Sequence, residues 1–543
     1  MRLRYKLKAF AALVLAAVIT MLCTACDDDG KDYIFKYDIA ANPRTLDPQT
    51  ANDDSSLQLI SNIFDGLLRL DSEGNVEPAV AESWEVSEDG LTYRFKLRED
   101  VYWYDGNEFE AQCTADDFVF AFQRLFKPST KSQVYESFLC IKNAEEINMG
   151  WIEDLDELGV KAEDDFTLAI TLAYPNPMFP ILLTTAPAMP CNRIYYESTG
   201  GKYGLYADKI ASNGAFYVYS WSYDKWSSEN NNIIMRRNVK NNADESICPY
   251  GLNYFIDEDD EYANFLDEQS HVYITSGAEA VTLIEKGYSY VQCDNRVWGI
   301  LFNTAKTSVF NNESLRQALA YGVDRESAVL EATGYTKAYN LIPDSISVGV
   351  LNYREQYPQS LALVHNDAMA QAAYDKAAEE IDKNDLNGIT LIMPEDEALQ
   401  KYVSYITQQW QSSLNFYCNI KVLSQSAFLA ALQDGDFDIA LSYINGSYNN
   451  PSAYLKTFTD AVSDNYSGYR DSSYKAVVTN GERASSDEKS AEYYAEAEEY
   501  ILNKAVFIPL AYQSEYAFFG EDCSDIIYNP FTKAVVFREA KHK

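Results

Sequence analysis

The chain's 543 residues are 47% apolar and 23% charged, a globular composition at a length no single hydrophobic core fills, so two or three domains are expected. Its 82 acidic residues against 44 basic ones leave a formal charge of −38, a field that repels the phosphate backbone and excludes nucleic acid as a partner. Only three histidines occur, His271, His365 and His542, and no G-x-S-x-G, H-E-x-x-H, P-loop or G-x-G-x-x-G pattern is present, so no catalytic residues, metal site or cofactor are expected.

In chain order, residues 1–25 read as an export signal, with Arg2, Arg4, Lys6 and Lys8 ahead of an apolar run over 9–25. That run is short for a bilayer span. Thr24-Ala25-Cys26 followed by three aspartates looks like a lipoprotein cleavage site, although Cys23 stands where that pattern usually carries Leu. Cys26 is therefore expected to be lipidated, on a tether over 26–32, holding the protein to the outer face of the cell membrane or in the periplasm. The other seven cysteines (Cys113, Cys140, Cys191, Cys248, Cys293, Cys418 and Cys523) are scattered, and are expected to be buried and reduced.

A first strand is expected over 33–40, then a helix capped by Ser55 or Ser56 with Leu57, Ile60, Phe64, Leu67 and Leu68 on one face. Trp84 and Val86, a turn at 87–90, and the alternating Leu91, Tyr93, Phe95 and Leu97 predict a β-hairpin with one buried face. Asp105-Gly106-Asn107 predicts a second tight turn, and Thr114 three residues before Asp117 a capped helix burying Phe118, Ala121, Phe122 and Leu125 until Pro128. A strand over 167–172, a Pro-rich connection, and a strand over 215–221 after the turn Asn213-Gly214 follow. Residues 227–242 read as the paired strand and loop. An apolar strand over 297–304 precedes a helix in which Leu315, Ala318, Leu319 and Val323 share a face and Arg316 faces away. Residues 389–441 alternate β-α-β-α-β, which implies a partly parallel sheet. A helix over 486–503 then leads into a strand over 506–511.

The stretch EPAVAESWEVSEDGLTYRFKLR, the WYDG turn and the helix start TADDFVFAFQR together resemble the signature region of bacterial extracytoplasmic solute-binding proteins of the peptide/nickel type, family 5. NPRTLDP leading to NIFDGLLRL, KIASNGAFYVYSW, and the passage from residue 297 into ESLRQALAYGVDRE are similar to further motifs of that family. The resemblance implies an α/β, periplasmic-binding-protein-like type II (cluster C) clamshell with two lobes and an inserted extra domain. The boundaries expected are lobe I at 33–77, 193–296 and 512–543, the inserted domain at 78–192, and lobe II at 297–511. It also implies the substrate-binding protein of an ABC importer, a monomer that closes its lobes on an oligopeptide and presents it to a membrane permease. The alternatives are a non-peptide cargo such as an oligosaccharide or a metal chelate, and a surface hydrolase.

The residues expected to line the cleft are Asn52, Asp53, Asp54, Asn213, Gly214, Trp298, Asn303, Tyr443, Ser447, Tyr448 and Asn449. Peptide-binding members anchor the ligand's ammonium on an Asp four residues before a Pro, and here that position, before Pro451, is Ser447. Asp53 or Asp54 could substitute as the anchor, the alternative being a ligand anchored in a different way. For residues 448–451 the competing reading is a surface turn.

Overall fold

The computed structural model describes residues 33–543 except 72–73, 227–230, 242–245, 257–259, 305–308, 326–333, 350, 359–363, 447, 460–464 and 485. The leader, Cys26 and Ser447 lie outside the described residues. Two large buried clusters of apolar side chains organise the rest.

The first surrounds a four-stranded sheet in which β1 (Ile34–Ile39) runs parallel to β12 (Gly251–Ile256), followed by antiparallel β11 (Asn232–Arg237) and β10 (Phe216–Ser222). Against it lies α1 (Asp54–Ile63), with Leu59, Ile60 and Ile63 buried. The cap of α1 is not Ser55 or Ser56 but Asp53, whose carboxylate accepts from the Ser56 N–H at 3.0 Å and the Ser56 hydroxyl at 2.7 Å. An aspartate ahead of the first turn also meets the positive end of the helix dipole. The helix stops at Ile63, so Leu67 and Leu68 do not share its face; Leu68 opens β2 (Leu68–Leu70), which pairs with β3 (Val76–Pro78).

The hairpin expected near Trp84 is β4 (Ala81–Val86) and β5 (Thr92–Leu97), turning at Gly90 with φ of 69°. Tyr93, Phe95 and Leu97 are buried, whereas Val86 is 46% exposed, because β4 is the outer strand of the sheet β4-β5-β9-β8. Here β8 is Val160–Asp164 and β9 Thr167–Thr171. β6 (Tyr102–Tyr104) and β7 (Glu110–Gln112) enclose the second turn, where the Asp105 carboxylate accepts from the Asn107 N–H at 2.8 Å. α2 (Ala115–Phe126) buries Phe118, Ala121, Phe122 and Leu125 as the pattern predicts. The segment 78–192 carries its own sheet, yet Phe95 and Phe118 belong to the same buried cluster as Phe35, Tyr254 and Phe537.

The second cluster is built on a larger sheet ordered β13-β21-β14-β20-β18-β19. These strands are Val272–Ser276, Phe507–Phe519, Ser289–Phe302, Ile439–Asn445, Thr390–Pro394 and Asn419–Leu423 respectively. β15 (Tyr335–Lys337) also pairs with β21. The expected β-α-β-α-β passage is present: β18 lies parallel to both β19 and β20, with helices Glu397–Leu414 and Gln425–Gln433 between. Arg316 lies in the helix Glu313–Tyr321. It does not face away but is 3% exposed, donating to the carbonyls of Phe310 at 2.6 Å and Lys504 at 3.0 Å. A long guanidinium can turn back and satisfy carbonyls around it. Among the described residues all seven cysteines are free, five of them buried.

Candidate functional site

Two strands join the lobes, and they join each other. β14 and β21 pair antiparallel from Ser289↔Phe519 to Leu301↔Phe507, with irregularities at Cys293/Arg296 and Trp298/Gly299. At one end β21 pairs with β13, and at the other β14 pairs with β20. β14 starts eight residues before the expected strand at 297. Gly299 sits where the two backbones crowd; a Cβ there would stand 2.4 Å from the Ile508 carbonyl oxygen and 2.4 Å from the Phe507 ring.

Gln513 ties this crossing together. Its Oε1 accepts from Trp298 Nε1 at 2.8 Å and from Arg296 at 3.1 Å, and its Nε2 donates to Ser276 Oγ at 3.2 Å and the Tyr335 hydroxyl at 3.1 Å. Burial, then the Asp396 carboxylate 3.2 Å away, push the Tyr335 phenol up from its ordinary range and keep it protonated. Trp298 meets the Tyr443 ring edge-on at 4.9 Å between centroids, and Arg296 stacks on the same ring at 4.7 Å.

β20 has one edge that is only partly used. It pairs with β14 along its whole length, but with β18 only at Ile439 and Ala440. Residues 441–445 therefore keep a row of backbone donors and acceptors without a strand beside it, among the described residues. A groove of about 180 Å³ lies against this end of β20, lined by Ser442, Tyr443, Ile444 and Asn445 with Leu301 of β14, Phe507 of β21, Phe428 and Tyr466. An open edge with a groove beside it can accept an extended chain as an added strand.

Tyr448, just past the end of β20, reaches into a larger cavity of about 750 Å³ against the first lobe. Its wall there is Leu57 and Ile60 from α1, Phe64 just past its end, Ile181 from the inserted segment and Ile527 from the strand Ile527–Asn529. Of the charges around it, Arg69 pairs with Glu77 at 2.6 Å and Arg538 with Asp65, and Glu136, Asp525 and Glu539 line it as well. The lobes touch beside it, where Asn450 Nδ2 meets the Met178 sulfur at 3.0 Å and Arg483 stacks on Tyr174 at 4.2 Å.

Each residue singled out from sequence has a definite place, apart from Ser447. Asn52 and Tyr448 line the large cavity together, and Asn52 also donates to Gln133 of the inserted segment at 2.7 Å. Trp298 and Tyr443 meet at the crossing. Asp53 caps α1 and Asp54 lies exposed in its first turn. Asn213 is fully buried, bonded to the backbone N–H and C=O of Asp65 at 3.1 and 2.8 Å, and Gly214 packs on the backbone of Ile63 and Phe64. Asn303 donates to the carbonyls of Gly435 and Phe437, both at 3.0 Å. Asn449 accepts from the Ser347 N–H at 2.9 Å. Sequence reasoning missed Arg296, Gln513 and the open edge of β20; the polar residues flanking the apolar run 297–302 were the available signal for the first. Among the described residues no group of three or more His, Cys, Asp or Glu is placed to hold a metal ion, and no helix is long and apolar enough to cross a membrane.

Residues 75–466 match the family described as bacterial extracellular solute-binding proteins, family 5, middle. The chain belongs to that family. Its members are solute-binding proteins of ABC transporters rather than enzymes. Similar relatives include the oligopeptide-binding protein OppA of Bacillus subtilis, 26% identical over 99% of this chain and 100% of its own. Another is YgiS of Escherichia coli, described as a probable deoxycholate-binding periplasmic protein, 27% identical over 88% of both chains. Among solved structures, Listeria monocytogenes OppA bound to peptide superposes with a TM-score of 0.72 at 24% identity, covering 94% of this chain and 99% of that one. The type II periplasmic-binding-protein fold expected from the signature motifs is thus the fold observed.

Proposed function

We propose that this family 5 protein is an exported, lipid-anchored receptor that captures an oligopeptide between its lobes and hands it to the permease of an ABC importer. The observation that carries this reading is the open edge of β20, which offers main-chain hydrogen bonds to any extended peptide, with tolerant groove walls for the side chains. The lobes are divided as 33–77 with 193–296 and 512–543, and 297–511, with 78–192 inserted, and they hinge at the β14/β21 crossing as a monomer. In this reading Asn52, Trp298, Tyr443 and Tyr448 face the ligand, while Asn213, Gly214, Asn303 and Asn449 fix the walls.

Native mass spectrometry of protein isolated from its own host should show a one-to-one complex with peptides that are recovered intact. A ligand released in cleaved form would sink the receptor reading. Cys26→Ala should move the protein from the membrane fraction to the soluble one, and unchanged partitioning would remove the lipid anchor. A second reading is favoured by the aliphatic wall of the large cavity: a rigid amphipathic solute of the bile-acid type, as the description of YgiS suggests for that protein. Titration with deoxycholate against a tetrapeptide mixture separates the two.

A further inference from the structure

The inserted segment packs on the first lobe, but one of its loops is built to meet the second. Past β9 the chain runs Ala173-Tyr174-Pro175-Asn176-Pro177-Met178, where two prolines fix the backbone. The insert itself holds this loop along its length. The Ala173 N–H donates to the Cys140 carbonyl at 2.7 Å, the Tyr93 hydroxyl to the Asn176 carbonyl at 3.3 Å, and the Met178 N–H to Asn176 Oδ1 at 3.0 Å. Pro175 lies against the turn at Gly90.

Two side chains of the loop cross to the second lobe. Tyr174 takes the guanidinium of Arg483 on its face at 4.2 Å, and the buried Met178 sulfur accepts from Asn450 Nδ2 at 3.0 Å. The receiving surface is equally firm. Arg483 follows the helix Ser472–Glu482, and Asn450 Oδ1 accepts from the Ser452 N–H at 2.9 Å at the start of the helix Ser452–Leu455. The ion pair of Lys456 with Glu482 ties the ends of those two helices together. Each body keeps its own hydrogen bonds if the two part, so the crossing contacts exist only while the lobes are together. The large cavity is built from the same stretches: Ile181 and Leu182 stand just beyond Met178, and Tyr448 just before Asn450.

We infer that Tyr174, Met178, Asn450 and Arg483 form a latch between the inserted segment and the second lobe, one that sets the balance between the open and closed protein. None of the four lines the large cavity or the groove beside β20. The affinity for a cargo therefore carries a contribution from residues that touch none of it, because whatever favours the closed arrangement slows the release of any solute it encloses. A stacked cation and an amide–thioether contact are each weak, so the latch yields without unfolding either body. The inference rests on the lobes parting at the β14/β21 crossing, and holds whichever solute the cleft takes.

The test needs no ligand. Opening uncovers the Met178 thioether, to which hydrogen peroxide transfers one oxygen, giving the sulfoxide and water. The rate at Met178, read by peptide mass spectrometry on the full chain, reports the open fraction, with the exposed Met149 and Met369 as internal standards. In wild type Met178 should oxidise about tenfold more slowly than either standard. Arg483→Gln and Tyr174→Leu should each quicken Met178 by about two- to tenfold while leaving Met149 and Met369 alone. The double variant should be no faster than the quicker single one, since both remove the same contact. Arg483 is exposed, so its replacement spares the fold, and cooperative melting checks every variant. Met178 as reactive as Met149 in wild type, an unchanged Met178 rate in either folded single variant, or a double variant faster than both singles overturns the inference.

Discussion

The packed interior of the first lobe and the seam where β14, β20 and β21 meet treat polar groups in opposite ways. In the interior most polar groups are closed, with Arg124 Nε and Asn253 Oδ1 as exceptions among the described residues. Asp47 and Gln49 both hold Arg124, Cys191 lies 3.3 Å from the same guanidinium, and Tyr196 stacks on it at 4.0 Å. Asp117, buried and pushed up to about 6 by desolvation, still accepts from Trp103 Nε1, the Thr114 N–H and Asn192 Nδ2. At the seam, one edge of β20 is left open past Ala440 among the described residues. The difference teaches that one part of the molecule spends its polar groups on stability while the other leaves some available, as the proposed receptor role requires.

Substitutions can break that contrast, and the largest effect is expected inside. Asp47→Ala leaves Arg124 buried without its carboxylate and should cost about 3–5 kcal/mol in urea unfolding, with ligand affinity of the folded fraction unchanged. A simultaneous loss of affinity would mean that the interior also serves the site.

Acid should act on the same lobe. His271 accepts the Lys36 N–H on Nδ1 at 2.8 Å, lies 2.8 Å from the Tyr33 hydroxyl, and is held at about 4, first by burial and then by Lys36. Its folded value is below its ordinary one, so the native state binds fewer protons than the unfolded chain between pH 6.5 and 4. Stability should therefore be intact above pH 6.5 and fall by roughly 3 kcal/mol at most on the way to pH 4. Melting His271→Gln beside wild type over that range checks it: the two profiles should diverge in slope, and parallel profiles would exonerate the histidine.

Gly299→Ala should cost about 1–3 kcal/mol through overpacking against Phe507 and Ile508, and, unlike Asp47→Ala, should change ligand affinity because it deforms the crossing. Smallest is Asn52→Ala, exposed at the cavity mouth, which should leave stability within about 0.5 kcal/mol while weakening ligand binding. Unaltered affinity there would take the large cavity out of the site.

Much of the fold was legible because it is written locally. The turn at Gly90, the helix behind Thr114 and the alternation of Tyr93, Phe95 and Leu97 need only neighbouring residues to specify them. So does the β-α-β-α-β passage, through period and length. Arg316 was misread because periodicity marks where a side chain starts, not where a flexible one ends. The early start of β14 was hidden because residues 289–292 are exposed on both faces and show no alternation. The site was the least legible part. Whether β20 has a free edge depends on how far β18 extends beside it, a register between strands about 50 residues apart, and no motif encodes it. Asp53 shows the converse: a residue type suited to binding an ammonium is first of all suited to starting a helix.

The pairing of β14 with β21 has a mechanical consequence. Two separate linkers would let the lobes swivel, slide and tilt independently, like a lid on cords. Two linkers laced together along their length form a single leaf spring, which yields by coiling about its own long axis and resists other displacements. The irregularities at Cys293/Arg296 and Trp298/Gly299 are the thin places in that spring. The first of them falls between the stretch of the ribbon paired with β13 and the stretch paired with β20, where a twist of the whole would be taken up.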